Sequence, residues 1–286
     1  MEANILNILR EYRDIYELIG DVYRAAAYST ALRAYAAGEP VTAGIAKKIV
    51  AIERGEPLAD LIELQRSPFV RAARSLGSIL GVGKETFAVW FKRGITNRTQ
   101  LRVAVRDGIV KLNHMQTLGL RHYTHLHMRV PRDVITEFAR KFREMVRKIY
   151  PNASVIPAGS YRRGAIDSSD IDLLVYDVTR PDISTLVIGA DAIVMSGQEK
   201  TTALYRIGGI VRSVDIIVVS ATHAAAALLY LTGSAEFNER MRGVAKRAGM
   251  RLNQHGLWHN NVLIPTKTER EIFEKLSIKY TAPRYR

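Results

Sequence analysis

Cysteine is absent from the 286-residue chain. Disulfides and thiolate-held zinc are therefore excluded, and the absence suits a reducing interior. No apolar run is long enough to span a bilayer, and no signal-peptide pattern opens the chain. Acids are scarce beside bases: 28 Asp and Glu face 42 Lys and Arg, a formal net charge of +14. That imbalance points to a polyanionic partner, most simply nucleic acid. Solubility or an acidic membrane are the competing explanations, but no strongly basic amphipathic helix favours a membrane. What remains is ordinary for a folded protein, with 47% hydrophobic and 24% charged residues, and the length allows two or three subdomains.

The charge is unevenly spread. Residues 1–66 carry a net −2, residues 67–130 carry +9, residues 131–221 carry +1 and residues 222–286 carry +6. The second and fourth segments are the expected polyanion-facing surfaces. The third holds the acids of interest.

Residues 1–66 show helical periodicity and no strand signal, beginning with Ile5, Leu6, Ile8, Leu9, Tyr12, Ile15, Tyr16 and Ile19. Further helices are predicted over residues 23–33 and 45–54, separated by Gly38-Glu39-Pro40. Residues 76–95 read as helix, Gly81-Val82-Gly83 turn, helix. Such glycines let a backbone turn tightly and approach a phosphate, whose oxygens meet the next helix's N–H groups. A plain glycine-containing turn is the alternative. His114, His122, His125 and His127 fit a solvated basic stretch, and no metal is assigned to them. A helix is predicted over residues 132–150 and a short strand over residues 153–157.

The stretch from Pro157 to Asp172 reads Pro-Ala-Gly-Ser-Tyr-Arg-Arg-Gly-Ala-Ile-Asp-Ser-Ser-Asp-Ile-Asp. Gly159-Ser160 can open a helix, whose N-terminus favours phosphate, and Arg163 adds a fork of donors. Asp170 and Asp172 run into Leu173-Leu174-Val175-Tyr176, a strand signal, and two residues apart on a strand share a face. Asp215 lies in a second strand signal, Arg212–Val219. Converging carboxylates repel and are relieved by a divalent cation, and Mg²⁺ takes one or two carboxylates plus substrate phosphates. Three acids beside a phosphate cradle suit two-metal displacement at phosphorus. A lone Asp-Ile-Asp would more simply be a solvated strand end; the Gly-Ser turn, the paired arginines and the later strand acid argue for a site.

Gly-Ser, a spacer and Asp-hydrophobic-Asp resemble the nucleotidyltransferase superfamily, and the fuller string GSYRRGAIDSSDIDLLV resembles DNA polymerase family X. The resemblance extends through Leu112–Tyr123, the Tyr230-Leu231-Thr232-Gly233-Ser234 segment and residues 269–283. It implies an α+β fold. A lyase-like helical domain (1–66) and a helix–hairpin–helix, fingers-type domain (67–131) would precede a catalytic palm with a mixed sheet (132–221). A small α/β thumb-like domain selecting nucleotide and template (222–286) would follow.

The implied activity is template-directed gap filling in base-excision-type DNA repair. A template-independent terminal transferase and a non-catalytic DNA-binding scaffold are the alternatives. Asp170, Asp172 and Asp215 would be catalytic and hold two Mg²⁺, with Mn²⁺ able to substitute. Arg129, Gly159, Ser160, Arg163, Ser168 and Ser169 would bind the triphosphate. Tyr230, Leu231, Gly233 and Asn238 would line the sugar and base, and Arg242 would meet the template. Leu231 stands where the family has an aromatic and Ser169 where it often has Gly.

Gly77, Ile79 and Val82 carbonyls would hold Na⁺ or K⁺ against the DNA backbone, together with Gly81, Gly83 and Lys84. Lys48, in Ile-Ala-Lys-Lys-Ile, matches the Schiff-base lysine of a 5′-deoxyribose-phosphate lyase, and Tyr23 a tyrosine of that site. A snorkelling surface lysine is the other reading of Lys48. Gly20 and Gly44 fall where the family's phosphate-binding lysines are expected. Implied partners are gapped or nicked primer–template DNA and deoxynucleoside triphosphates. The expected context is a membrane-free monomer working alongside a DNA ligase inside the cell, in the nucleus or another site of replication and repair.

Overall fold

The computed structural model describes residues 1–178 and 183–286. The chain parts into two compact units, Met1–Arg121 and His122–Arg286. Among the described residues no helix is long and apolar enough to cross a membrane.

The first unit is all helix: α1 (Glu2–Ile19), α2 (Val22–Ala36), α3 (Ala43–Glu53), α4 (Ala59–Arg66), α5 (Pro68–Gly77), α6 (Lys84–Lys92), α7 (Arg98–Arg106) and α8 (His114–Arg121). Ile5, Leu9, Tyr12, Ile15 and Tyr16 fall on one face of α1 and are buried. Gly20, at φ 81°, ends that helix, and Asp21 caps α2 through the Arg24 N–H. Tyr12, Tyr16 and Tyr28 stack in the core, the Tyr12 and Tyr28 centroids 4.8 Å apart.

The turn between α5 and α6 closes with the Val82 N–H on the Ile79 carbonyl at 3.0 Å. It is seated on α8: the Gln116 amide donates to the Gly81 carbonyl at 3.1 Å. Gly119 lies so close that a Cβ there would stand 2.7 Å from the Leu80 nitrogen.

The second unit begins with α9 (Tyr123–Leu126), β1 (Val130–Pro131), α10 (Arg132–Ile149), β2 (Ser154–Pro157), α11 (Gly159–Arg162), β3 (Asp167–Ser168) and β4 (Ile171–Tyr176). There follow α12 (Ile183–Leu186), β5 (Ala192–Ser196), β6 (Lys200–Ile207) and β7 (Ile210–Val218). The unit ends with α13 (Ala224–Thr232), α14 (Ala235–Arg247), β8 (Met250–Asn253), β9 (Gly256–His259), β10 (Val262–Ile264) and α15 (Glu269–Lys275).

Five strands form a mixed sheet in the order β2-β4-β7-β6-β5, parallel only where β4 meets β7. β8, β9 and β10 form a separate antiparallel sheet. The α+β class expected from the sequence is the class observed.

Strand alternation divides the large sheet into two faces. Ile171, Leu173 and Val175 of β4, with Val214, Ile216 and Val218 of β7, pack with Phe138, Phe142 and Val146 of α10. Burying each such side chain contributes about 1.5–3 kcal/mol. The other face carries Leu174 and Ile217, which pack with Ala227 and Leu228 of α13. By the same parity Asp172 and Asp215 belong to this second face. α10 thus fills one side of the sheet and leaves the acids on the other.

Candidate active site

The parallel pairing of β4 with β7 sets Asp172 opposite Asp215 and Leu173 opposite Ile216. Two strand signals more than thirty residues apart in the chain therefore deliver neighbouring carboxylates. Asp170 does not lie within the strand, as its spacing had suggested. β4 begins at Ile171, where pairing to Val214 begins, and Asp170 stands at the strand's mouth. It remains close enough to Asp172 to act on its charge. Burial, then the like charges of Asp170 and Asp215, push the Asp172 carboxyl up to about 7, against the opposing pull of Lys200 and Arg163.

Asp172 is seated on the turn that opens α11. The Ala158 N–H donates to its backbone carbonyl at 2.9 Å. Gly159 adopts φ +56°, and a Cβ there would stand 1.9 Å from Asp172 Oδ2. Glycine is thus required twice, for the conformation and for the approach of the carboxylate. The Ser160 hydroxyl donates to Ser168 Oγ at 2.6 Å, and Ser168 is buried opposite Val130 in the β1–β3 pair.

A cleft of about 710 Å³ opens over these residues. Arg129, Gly159, Ser160 and Arg163 line one side of it, with Ser169, Asp170 and Asp172 beside them. Tyr230, Leu231, Gly233, Asn238 and Arg242 line it from the end of α13 and from α14. Two residues singled out from the sequence do not line it: Ser168 supports the wall from behind, and Asp215 stands next to it on β7. Glu236 lines the cleft and carries no sequence signal that would have marked it.

Several of these groups hold internal partners. Arg129 grips the Asp167 carboxylate through Nε at 3.1 Å and one terminal nitrogen at 2.8 Å. Arg163 donates to the Thr232 carbonyl at 2.6 Å, and the Asn238 amide to the Tyr230 carbonyl at 2.7 Å. Asp215 accepts from the Thr202 hydroxyl at 2.6 Å and pairs with Lys200 at 2.6 Å.

Arg162, beside the site, enters a buried ionic network. It binds Glu269 at 2.6 and 3.0 Å and the Thr232 hydroxyl at 2.7 Å, while Arg286 binds Glu269 at 2.6 Å. This network ties α11 to α13, α15 and the last residue of the chain. Its bonded partners lie up to 107 positions apart, so local pattern gave no sign of it.

The donor set suits a hard divalent cation: three carboxylates, two on adjacent strands and one at a strand's mouth, all beside the turn that opens α11. Among the described residues no three such side chains already stand together as a complete cage. The chemistry is consistent with that, because Mg²⁺ sites are commonly completed by substrate phosphates.

In the first unit Lys48 lies over the Tyr12 ring, 4.7 Å from its centroid, and contacts the Tyr12 hydroxyl at 3.3 Å and the Asp60 carboxylate. Tyr12 also donates to Asp60 at 2.7 Å. Burial pushes the Asp60 carboxyl up, but the bonds from Lys48 and Tyr12 outweigh it and hold the group below its ordinary value. Tyr23 is 91% exposed at the start of α2. Tyr12 and Asp60, rather than Tyr23, are the side chains bonded to Lys48, and neither was singled out from sequence. At the α5–α6 turn, Gly77 ends α5, Gly81, Val82 and Gly83 lie between the helices, and Lys84 donates to the Glu17 carbonyl at 3.1 Å.

Residues 129–201 match the family model described as DNA polymerase beta palm, and residues 227–286 the one described as DNA polymerase beta thumb. The chain is similar to DNA polymerase lambda of Rattus norvegicus, with 29% identity over 94% of this chain and 53% of the relative. It is similar to DNA-directed DNA/RNA polymerase mu of Homo sapiens, at 24% over 78% and 54% respectively. DNA polymerase lambda of Arabidopsis thaliana is 22% identical over 100% of this chain and 62% of the relative. The chain thus spans between half and two thirds of the length of these curated relatives.

Proposed function

The chain belongs to DNA polymerase family X, and on that footing we propose that it is a template-directed DNA polymerase that fills short gaps during repair. The observation that carries this reading is the pairing of Asp172 with Asp215 across β4 and β7, beside a cleft lined by Asp170 and the Gly159–Arg163 turn. Polymerases of this family use divalent metal ions. Asp170, Asp172 and Asp215 would hold two Mg²⁺ here, with Mn²⁺ as a substitute. Such ions supply charge neutralisation and a lowered pKa for the primer 3′-hydroxyl.

The remaining roles fall to side chains of the cleft. Ser160, Ser169, Arg129 and Arg163 bind the triphosphate and stabilise charge on it. Arg129 must release Asp167 to do so. Tyr230, Leu231 and Gly233 border the sugar, Asn238 the base edge and Arg242 the template. The acids carry the chemistry, the basic first unit grips DNA, and the functional division follows 1–66, 67–131, 132–221 and 222–286. The α5–α6 turn would meet the DNA backbone through Na⁺ or K⁺ at the Gly77, Ile79 and Val82 carbonyls. The protein would act as a monomer alongside a DNA ligase wherever DNA is repaired.

Primer extension with Mg²⁺ tests the reading. Extension is expected on a one-nucleotide gap, directed by the templating base. Equal extension of lone single strands would establish a terminal transferase instead, and no extension on any DNA a binding scaffold.

A 5′-deoxyribose-phosphate lyase step at Lys48 is a second reading, favoured by the position of its amine beside a carboxylate and a phenol. Attack on a sugar aldehyde requires that amine to leave Asp60. Borohydride trapping on abasic-site DNA is expected to be weak in the native chain and about tenfold stronger in Asp60→Asn. Equal trapping by Lys48→Ala would remove Lys48 from the role.

A further inference from the structure

Lys200 opens β6 on the face that carries the acids. Its register partner on β7 is Ile217, while Thr202 is the partner of Asp215. Residues two apart on a strand share a face, so Lys200 and Thr202 stand beside Asp215, and Asp172 stands on its other side on β4. The ammonium lies 2.6 Å from Asp215 Oδ2, and the Thr202 hydroxyl donates to Oδ1 at 2.6 Å. Both carboxylate oxygens are engaged. The Lys200 side chain is 45% exposed against 17% for Asp215. The cation therefore has a path to water that the carboxylate lacks.

We propose that Lys200 is a positioning residue for nucleotidyl transfer: its ammonium holds, in the DNA-free protein, the place at Asp215 that a divalent cation takes during the reaction. The proposal rests on the polymerase reading given above. Adjacent carboxylates on β4 and β7 repel unless something offsets their charge. A lysine on a long flexible stem offsets it and can withdraw to solvent without any backbone movement. Thr202 keeps its grip on the other oxygen, so the carboxylate stays aimed once the ammonium leaves. Lys200 and the ion then compete for one site, and each weakens the other by the same factor.

The test is Mn²⁺ binding to the intact chain without DNA, read from the electron paramagnetic resonance of the unbound ion. Lys200→Met keeps the aliphatic stem and removes the charge; Lys200→Arg keeps a charge. Lys200→Met is expected to bind Mn²⁺ at least about fivefold more tightly than the native chain, and Lys200→Arg within about twofold of it. Asp172→Asn distinguishes the two levels of inference. Binding that is lost in Asp172→Asn yet indifferent to Lys200→Met overturns the role of Lys200 alone. Binding that survives Asp172→Asn unchanged overturns the metal site of the polymerase reading, and this proposal with it.

Discussion

Asp215→Ala is expected to lower the rate of nucleotide addition by about three orders of magnitude or more while DNA binding is kept. The carboxylate sits on β7 opposite Asp172, yet it does not line the cleft. On the proposed mechanism its loss removes a metal-binding oxygen donor and leaves the cleft wall intact. The fold should tolerate the change. Asp215 is part of no apolar cluster, its Lys200 partner is already half in water, and the Thr202 hydroxyl is left with the lost bond. That bond is worth about 1 kcal/mol. On the proposed reading the site faces DNA, and removing a negative charge there holds or strengthens DNA affinity. Single-turnover extension on a one-nucleotide gap, set beside a gel-shift titration of the same DNA, separates the two quantities. Near-native extension would show that the third carboxylate has no part in the chemistry.

Much of this site is legible in the sequence itself. The Gly159-Ser160 turn, the paired arginines and the Asp-Ile-Asp run are local, and local signals specify local geometry. The helical periods of α1 and α10 likewise follow from which residues repeat at one face.

What was not legible depends on strand register and on distance along the chain. Lys200 and Thr202 reach Asp215 only because β6 pairs with β7 in one particular register, which hairpin and core packing decide together. Pairing of β4 with β7 begins at Ile171, so Asp170 falls outside the strand. Tyr12 and Asp60 meet Lys48 from positions 36 and 12 residues away, whereas the resemblance had pointed to Tyr23. The Arg162–Glu269–Arg286 network has no local pattern at all, since its acid and bases come from α11, α15 and the end of the chain.

Asp172→Asn is expected to abolish measurable nucleotide addition and, in metal-free buffer, to raise the melting temperature. The activity loss follows from removing the central carboxylate of the three. The stability gain follows from the cost of keeping that carboxylate. Burial and the neighbouring acids raise the Asp172 carboxyl to about 7. Ionising it therefore costs more in the folded chain than in the unfolded one. The penalty is absent below the ordinary carboxyl value near 4, grows as pH rises towards 7 and is complete above it. The amide is isosteric and neutral at every pH, and it fits the same seat over Gly159, where no Cβ intrudes.

The variant should thus melt with the native chain near pH 4 and above it at pH 8. Discounted for partial exposure, the gain is on the order of 1–3 kcal/mol, or about 2–10 °C. Saturating Mg²⁺ should narrow the gap, because the ion stabilises only the protein that retains the carboxylate. Calorimetric melts at the two pH values, with and without Mg²⁺, check all three statements. A variant that melts below the native chain at pH 8 would mean that Asp172 stabilises the fold, and the ionisation cost assigned to it would then have no basis.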